Sequence, residues 1–182
     1  MQKRGINLNL KVLCQLAMLT AISIVAGKYL AIGVGTVLRF SLENLPIIFS
    51  GLAFGPTAGL LVGVVADLVG CLLVGYEINP IVTVGAAFIG LLSGTAKCIP
   101  HKSRGGLWLT VILGESLAHL IGSVVVKTFG LAVYYDMPFM ILMLWRLLNY
   151  ALIGALETVL IYALLKNRAV QREINTIKNQ RN

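Results

Sequence analysis

The sequence predicts an all-α integral membrane protein with six transmembrane helices. The 182-residue chain is 58% hydrophobic and only 12% charged, whereas soluble domains are about 45–50% apolar and about 25% charged. Its mean hydropathy is +0.88. A chain of this length holds about six spans of roughly 20 residues with short loops. We therefore expect residues 1–182 to form a single six-helix transmembrane domain.

The apolar residues fall into six segments with short connections. The Gly55-Pro56 turn is very tight, so the second and third segments form a helical hairpin. Pro56, Pro80 and Pro138 lie at or near the first turn of a segment, where a missing N–H costs little. The segments run approximately over residues 8–29, 41–54, 57–76, 80–98, 106–129 and 138–165. The polar residues 166–182 form a cytoplasmic tail, either a short helix or a frayed end.

Basic residues determine the expected orientation. Eleven of the 15 lysines and arginines fall into three clusters: the N-terminus, the loop between segments four and five, and the C-terminal region. Six spans place all three clusters on one side of the membrane, and the positive-inside rule makes that side the cytoplasm. Both termini are then cytoplasmic. This placement accounts for most of the net charge of +8, so we expect no nucleic-acid partner.

The four remaining cations are Lys28, Arg39, Lys127 and Arg146, and all of them fall on or near the outer side. Long basic side chains reach lipid headgroups readily, which is enough to explain Lys28 alone. The positive-inside rule does not account for four cations on the outer side, and headgroup contacts explain all four less readily than one. They indicate an anionic ligand that approaches from outside.

The stretch "VLRFSLENLPIIF" carries Arg39 and Glu43 four residues apart. If the second helix has already begun there, the two residues share a face and form a local ion pair that contributes a few tenths of a kcal/mol. An acid in the first turn also suits the helix dipole. We therefore interpret Glu43 as structural and Arg39 as a candidate for the rim of an anion-receiving cavity.

Polar residues recur along segments five and six. A step of four residues keeps side chains on roughly one side of a helix. The two stripes are most simply satisfied when they face each other or a water-filled cavity. A network without ligand is the alternative; we favour it for the two glutamates, and ligand contact for the residues near the outer mouth. The stripes are Glu115, His119, Ser123 and Lys127 in segment five, and Arg146, Asn149, Tyr150 and Glu157 in segment six.

Segment three and the loop after it add further candidates. Asp67 shares a helical face with three glycines, which lets neighbouring helices approach and indicates that this acid is buried. A buried carboxylate needs a donor, either a neighbouring Arg or Lys or an N–H edge of a ligand. In the following loop, Tyr76 can stack on a ring, and Asn79 can bind a ligand or cap the helix that begins at Pro80.

Catalytic and cofactor motifs are absent from the sequence. It contains no phosphate-binding loop, no GxSxG and no metal-ligand spacing, and its three cysteines lie inside apolar runs. Ser116 and Ser123 lie on the same helix as His119, where serines usually bond to the backbone. We expect no enzyme activity, no cofactor and no metal. If the chain takes part in active transport, the ATPase lies on another chain.

Taken together, these residues resemble the substrate-binding S components of energy-coupling factor (ECF) vitamin transporters. The resemblance covers nearly the whole chain, and "AMLTA", with Ala17 and Ala21, matches the AxxxA pattern of the family's first helix. The central stretch "LRFSLENLPIIFSGLAFGPTAGLLVGVVADLVGCLLVGYEINPIVTVGAAFIGLLSG", residues 38–94, is similar to the folate-specific members.

The resemblance implies a six-helix bundle in the bacterial plasma membrane that captures folate in an outward-facing cavity. It further implies docking to a membrane scaffold subunit with two ABC ATPases, and Ala17 and Ala21 would contact that scaffold. The family's ligand contacts do not transfer residue by residue, so the site list depends on charge, depth and helical face. The candidate substrate-binding residues are Arg39, Asp67, Tyr76, Asn79, His119, Lys127, Arg146 and Asn149.

The ligand chemistry fits this list. Folate has a pterin with an N–H edge, which Asp67 can bind, and a glutamate tail whose carboxylates suit Arg39, Lys127 and Arg146. Tyr76, Tyr134, Tyr135 or Trp145 can stack on its rings. Two alternatives stay open: an S component for another vitamin, such as pantothenate or thiamin, and a ligand-free membrane assembly subunit. The cationic charge of thiamin weighs against thiamin.

Overall fold

The computed structural model describes residues 10–34, 38–96, 104–136 and 138–179. Its helices are α1 (Leu10–Ile24, continued by a π-helical turn, Val25–Tyr29), α2 (Asn44–Phe54), α3 (Pro56–Val74), α4 (Pro80–Ala96), α5 (Arg104–Leu117), a π-helical segment (Ala118–Lys127), α6 (Thr128–Tyr135), α7 (Phe139–Lys166) and α8 (Arg168–Asn179). The prediction of an all-α membrane bundle is confirmed.

Within the described ranges, four helical rods are long and apolar enough to cross a membrane. They are Leu10–Tyr29, Pro56–Val74, Gly105–Tyr134 and Phe139–Lys166. The other two predicted segments are the shorter apolar helices Asn44–Phe54 and Pro80–Ala96. The first of these has 11 residues, which at 1.5 Å per residue is about half of the hydrocarbon thickness.

A short β-hairpin lies between α1 and α2, where the sequence predicted none. Strand β1 (Ile32–Val34) pairs antiparallel with β2 (Leu38–Phe40), and Gly33 is opposite Arg39. The predicted helical pairing of Arg39 with Glu43 is therefore wrong, because Arg39 belongs to a strand and α2 begins only at Asn44. Strand β2 lies against α7. We call this end of the bundle the hairpin end and the opposite one the α8 end.

Helix α4 lies at the centre of the bundle, in contact with α2, α3, α5, the π-helical segment and α6. Glycines bring its backbone against α3. A Cβ atom added to Gly90 would meet the carbonyl of Gly59, one added to Gly59 would meet the carbonyl of Gly90, and one added to Gly63 would meet that of Ala86. Small residues permit this approach, and in lipid it is close contact that holds helices together.

The fifth predicted segment is a continuous rod, α5 to α6, with a π-helical middle. Its polar stripe is Glu115, His119, Ser123 and Lys127, and all four residues are buried. In an α-helix a step of four residues drifts by about 40°. The wider π-helical turn between residues 118 and 127 counteracts that drift and keeps the stripe on the inner side.

The polar tail forms α8, one of its two predicted alternatives. Its Val170 and Ile174 pack against the hydrophobic core of the bundle. Glu173 also forms an ion pair with Lys11 at the start of α1, with 2.6 Å between Nζ and Oε2. Helix α8 therefore folds back onto the bundle rather than extending away from it.

We predict that Gly90→Ala destabilises the protein by about 1–3 kcal/mol, since overpacking of this size carries that cost. The added methyl group must push α4 away from the α3 backbone, and that loss outweighs the better helix propensity of alanine. Thermal unfolding of the purified protein in detergent measures the effect. Gly33→Ala is the matched control, because a Cβ atom there meets open space. Equal melting temperatures for the two variants would contradict the packing argument.

Candidate functional site

Four charged side chains converge at the hairpin end of the bundle: Lys28, Glu43, Asp67 and Lys127, which we call the charge cluster. All four lie close enough to the Cys71 thiol to act on it electrostatically. They come from four different parts of the chain: the π-helical turn after α1, the residue before α2, α3, and the end of the long π-helical segment. The cluster contains two acids and two bases, so its charges balance.

Asp67 is the buried acid of this cluster, with 3% of its surface exposed. Its Oδ2 accepts a 2.6 Å hydrogen bond from the Thr83 hydroxyl of α4. Thr83 is also within 3.3 Å of the Asn79 carbonyl oxygen, one turn earlier on the same helix. The contact between α3 and α4 thus positions the carboxylate and supplies a neutral donor to it.

Lys127 is buried as well, although it is a lysine at the end of a π-helical segment. Its Nζ lies 4.0 Å from Glu43 Oε1, and its stem occupies the space that a side chain at Gly85 would fill. The Glu43 carboxylate in turn packs where Gly27 has no side chain. Its backbone carbonyl accepts a 2.7 Å hydrogen bond from the Ser23 hydroxyl. Because Gly27 and Gly85 have no side chains, the Glu43–Lys127 ion pair fits between the helices.

Lys28 crosses α3 at Gly70, where a Cβ atom would lie 2.8 Å from the Lys28 Cε. Its ammonium group lies 5.7 Å from the centroid of the Tyr76 ring, within the range of a cation–π contact. About half of the Tyr76 surface is exposed. Lys28 therefore contacts protein groups on α3 and in the loop after it. A contact with lipid headgroups is not needed to explain its position.

Asn79 caps α4. Its Oδ1 accepts hydrogen bonds from the backbone N–H groups of Ile81 (3.0 Å) and Val82 (3.3 Å). Its Nδ2 donates to the carbonyl of Gly130 in α6 at 2.9 Å. The Asn79 side chain thus connects the start of α4 to α6. Of the two roles considered in the sequence analysis, ligand binding and helix capping, these contacts correspond to capping.

His119 belongs to a second group, the Glu–His–Glu cluster of Glu115, His119 and Glu157. Its Nε2 lies 2.6 Å from Glu157 Oε2 and 3.3 Å from Glu115 Oε1, and its Nδ1 lies 3.4 Å from the Ser123 hydroxyl. Its ring stacks on Tyr150 with centroids 4.5 Å apart. Among the described residues, this is the group of His, Cys, Asp and Glu side chains close enough together to hold a metal ion.

A cavity of about 570 Å³ lies between α5 and α7 beside this cluster. Glu115 and His119 supply its charged and imidazole groups, and Trp108 and Tyr150 supply aromatic walls. Gly154 of α7 admits the Glu115 carboxylate, since a side chain there would collide with Glu115 Oε1. The predicted meeting of the two polar stripes is thus present at Glu115, His119, Tyr150 and Glu157.

The other predicted residues have different positions. Arg146 donates a 3.0 Å hydrogen bond from Nη1 to the backbone carbonyl of Ser123, in the π-helical segment. Asn149 is buried on α7. Arg39 lies on β2, which borders α7, and its side chain lies outside the described residues. Ala17 and Ala21 both lie on the exposed face of α1.

Sequence reasoning missed several members of these clusters. Glu43 was interpreted as structural, and Lys28 was left open between a headgroup contact and an anionic ligand; both belong to the charge cluster. Thr83 carried no signal of its own; only its spacing of four from Asn79 and its place near the start of α4 distinguish it. In the fold, Glu43, Lys28 and Lys127 lie against Gly27, Gly70 and Gly85 respectively, and the sequence carries no signal for these long-range pairs.

Comparisons with known proteins agree with this architecture. Residues 11–165 match the family model of the ECF transporter, substrate-specific component. That match spans most of the chain, so the protein belongs to this family. It is a membrane-embedded substrate-binding subunit of a transporter and not an enzyme. Comparison with curated protein sequences gave no match.

Three solved structures share the fold. FolT bound with folic acid is 24% identical with a TM-score of 0.69, over 86% of this chain and 93% of that one. An S component for biotin from an ECF-type ABC transporter is 18% identical with a TM-score of 0.60, over 90% and 95%. An S component of a bacterial ECF transporter is 20% identical with a TM-score of 0.63, over 92% and 98%. At these identities the likeness establishes the fold.

We predict that Lys127→Met destabilises the protein by about 1–3 kcal/mol, because it leaves Glu43 without its partner in the interior. Adding Glu43→Gln to that variant removes the unpaired charge and restores part of the loss. Thermal unfolding in detergent of the single and double variants measures this coupling. Lys166→Met, at the exposed end of α7, is the control and should change stability little. Strictly additive effects of the two substitutions would contradict a paired charge cluster.

Proposed function

We propose that this chain is the folate-binding subunit of an ECF-type importer in the bacterial plasma membrane. The hairpin end faces outward, and the α8 end, where α1 begins, faces the cytoplasm. This orientation follows the positive-inside rule. Folate enters at the hairpin end, and ATP hydrolysis on partner subunits drives its release inside.

The charge cluster is the observation that carries this proposal. A buried carboxylate held in place by Thr83, beside two lysines, offers both kinds of group that folate needs. The paired N–H donors of a pterin suit a carboxylate such as Asp67, in a charge-assisted contact. The anionic tail suits Lys127 and Lys28. Similarity of residues 38–94 to folate-specific family members, and the shared fold with FolT, support the same ligand.

Lys127 has a partner that a ligand can replace. Its distance of 4.0 Å to Glu43 is long for a charge-assisted hydrogen bond, which usually measures about 2.7–2.9 Å. A folate carboxylate that approaches Lys127 therefore competes with a loose ion pair. Glu43 then repels the incoming tail unless it rotates toward Lys28. We infer that Glu43 neutralises Lys127 before the ligand arrives.

Two arginines are further candidates for contact with the anionic tail of folate. Arg146 lies on α7, and Arg39 lies on the strand that packs against α7. Arginine binds carboxylates in a bidentate manner more readily than lysine does. We infer that Arg39 and Arg146 supply a second pair of cations for the two carboxylates of the folate tail. Half-exposed Tyr76, Tyr134 and Trp145 remain candidates for ring stacking.

The exposed face of α1 is the surface that docks to the membrane scaffold subunit. Ala17 and Ala21 lie on that face together with Cys14 and Val25, which leaves a shallow strip between larger side chains. Close helix–helix approach in lipid requires such small residues. Helix α8 is tied to the start of the same helix by the Lys11–Glu173 ion pair, so a partner on this face would meet both helices.

We predict that the purified protein in detergent binds folate with a dissociation constant at or below the micromolar range. Isothermal titration calorimetry measures it, and the absorbance spectrum and mass of any copurified ligand identify the natural substrate. A well-folded protein that binds no folate would refute the folate assignment. A different copurified vitamin would replace folate while leaving the family role unchanged.

We predict that Asp67→Asn weakens folate binding about 10–100-fold, the loss expected for one charge-assisted hydrogen-bonding contact. The asparagine still accepts the Thr83 hydrogen bond, so the fold should persist. Thr83→Val is the matched control: it removes that hydrogen bond and keeps the carboxylate, so it should weaken binding less. If both variants bind folate like the parent protein, Asp67 does not contact the ligand.

We predict that Ala17→Trp and Ala21→Trp abolish folate uptake by the complete transporter while folate binding to the isolated subunit is unchanged. The large ring prevents a partner helix from approaching α1. Uptake of labelled folate into proteoliposomes measures the first effect and calorimetry the second. Leu152→Trp, at an exposed position of α7, is the control and should retain uptake. Normal uptake in both alanine variants would place the docking surface elsewhere.

A further inference from the structure

We propose that Glu115, His119 and Glu157 form a binding site for one divalent transition-metal ion, such as Zn²⁺, that links the α5–α6 rod to α7. Sequence analysis predicted no metal, because Glu115 and His119 are separated from Glu157 by 38 residues or more. The fold brings the three side chains together. Their candidate ligand atoms all lie within 4.8 Å of one another, and all three residues are buried.

The distances suit a small metal ion. Zinc binds imidazole nitrogen and carboxylate oxygen at about 2.0–2.2 Å, so two neighbouring ligand atoms in a tetrahedral site lie about 3.3 Å apart. His119 Nε2 and Glu115 Oε1 are 3.3 Å apart. His119 Nε2 and Glu157 Oε2 are hydrogen-bonded at 2.6 Å. A metal ion would replace that hydrogen bond and displace the Glu157 carboxylate by a fraction of an ångström.

A second, independent observation concerns the Glu157 carboxylate. The Glu157 side chain is fully buried, and its Oε1 has no hydrogen-bond partner among the described residues. An unpaired oxygen of a buried carboxylate costs about 1–3 kcal/mol or more. A metal ion bound by both oxygens of the Glu157 carboxylate would satisfy Oε1 as well as Oε2. The cavity beside Glu115 and His119 leaves room for a water molecule in a remaining coordination position.

Charge favours the same interpretation. Metal ligands bind in their deprotonated forms, and in that state two carboxylates and a neutral imidazole together carry two negative charges. Among the ion pairs of the described residues, both glutamates share one partner, the His119 ring. One imidazole cannot compensate two buried carboxylates, whereas a divalent cation does. The nitrogen and oxygen ligand set suits zinc, nickel, cobalt or iron better than calcium or magnesium.

The surrounding residues orient these ligands. With Nε2 on the metal, Nδ1 carries the proton and donates it toward the Ser123 hydroxyl, 3.4 Å away. Stacking on Tyr150 restricts the imidazole plane. Glu115 has side-chain hydrogen bonds to Ser116 and Thr158. Such outer contacts fix the direction of metal ligands and are a regular feature of metal sites.

Metal binding to the untagged protein tests this inference. After treatment with a chelator and gel filtration in detergent, the protein is incubated with Zn²⁺, desalted, and its metal content is measured by mass spectrometry. We expect one equivalent of zinc and a higher melting temperature with zinc than without it. Co²⁺ in place of zinc should give the visible absorption of a low-symmetry nitrogen–oxygen site.

Variants separate this cluster from adventitious binding. His119→Gln and Glu157→Gln should each lower zinc affinity by at least about 100-fold, since even residues behind the ligands contribute 10–100-fold. They should also abolish the zinc-dependent rise in melting temperature. His101→Gln removes the other histidine of the chain, and Glu77→Gln removes an exposed carboxylate; both should bind zinc like the parent protein.

Two results would overturn the site. The first is no zinc retained by the well-folded parent protein. The second is equal zinc affinity in His119→Gln, Glu157→Gln and the two controls. Gel filtration and circular dichroism of each variant establish that it is folded, and Glu115→Gln provides a third ligand variant if one of the others fails to fold.

Discussion

The backbone contact between α3 and α4 is the constraint on which the rest of the structure depends. The carbonyl of Gly59 lies against Gly90 and the carbonyl of Gly90 lies against Gly59, so neither position has room for a side chain. In lipid there is little hydrophobic force between helices, so such close contact is what holds them. It places α4 at the centre, and α4 then brings Thr83 to Asp67 and gives Lys127 the space beside Gly85. The charge cluster follows from glycine packing.

Helix α7 is held in a different way. Many of its leucines are exposed on the side that faces lipid, and only part of its surface is buried against the bundle. Polar contacts do much of the joining: Arg146 to a carbonyl of the π-helical segment, Tyr150 to the His119 ring, and Glu157 to the same imidazole. The π-helical geometry matters here, because π-helical turns are common at functional sites and this one keeps the polar stripe inward.

Two of the four cations that looked misplaced on topological grounds have an acidic or an aromatic partner. Lys127 faces Glu43, and Lys28 lies over Tyr76. A balanced group of this kind can remain stable without ligand and still present both signs of charge to one. A substrate-binding subunit needs this property, since it must fold before its substrate arrives. The charge balance of the cluster is compatible with the folate site that we propose there.

The sequence by itself determined the membrane class, the approximate bounds of the helices, the burial of Asp67 and the polar stripes of the last two long segments. These depend on composition and on helical period, which are local properties. It did not determine the hairpin, the π-helical segment or the pairing of Glu43 with Lys127. Strands of three residues leave no periodic pattern, and Glu43 and Lys127 are 84 residues apart. Only tertiary structure brings such residues together, because the partner of a buried charge is chosen by helix packing and not by neighbours in the chain.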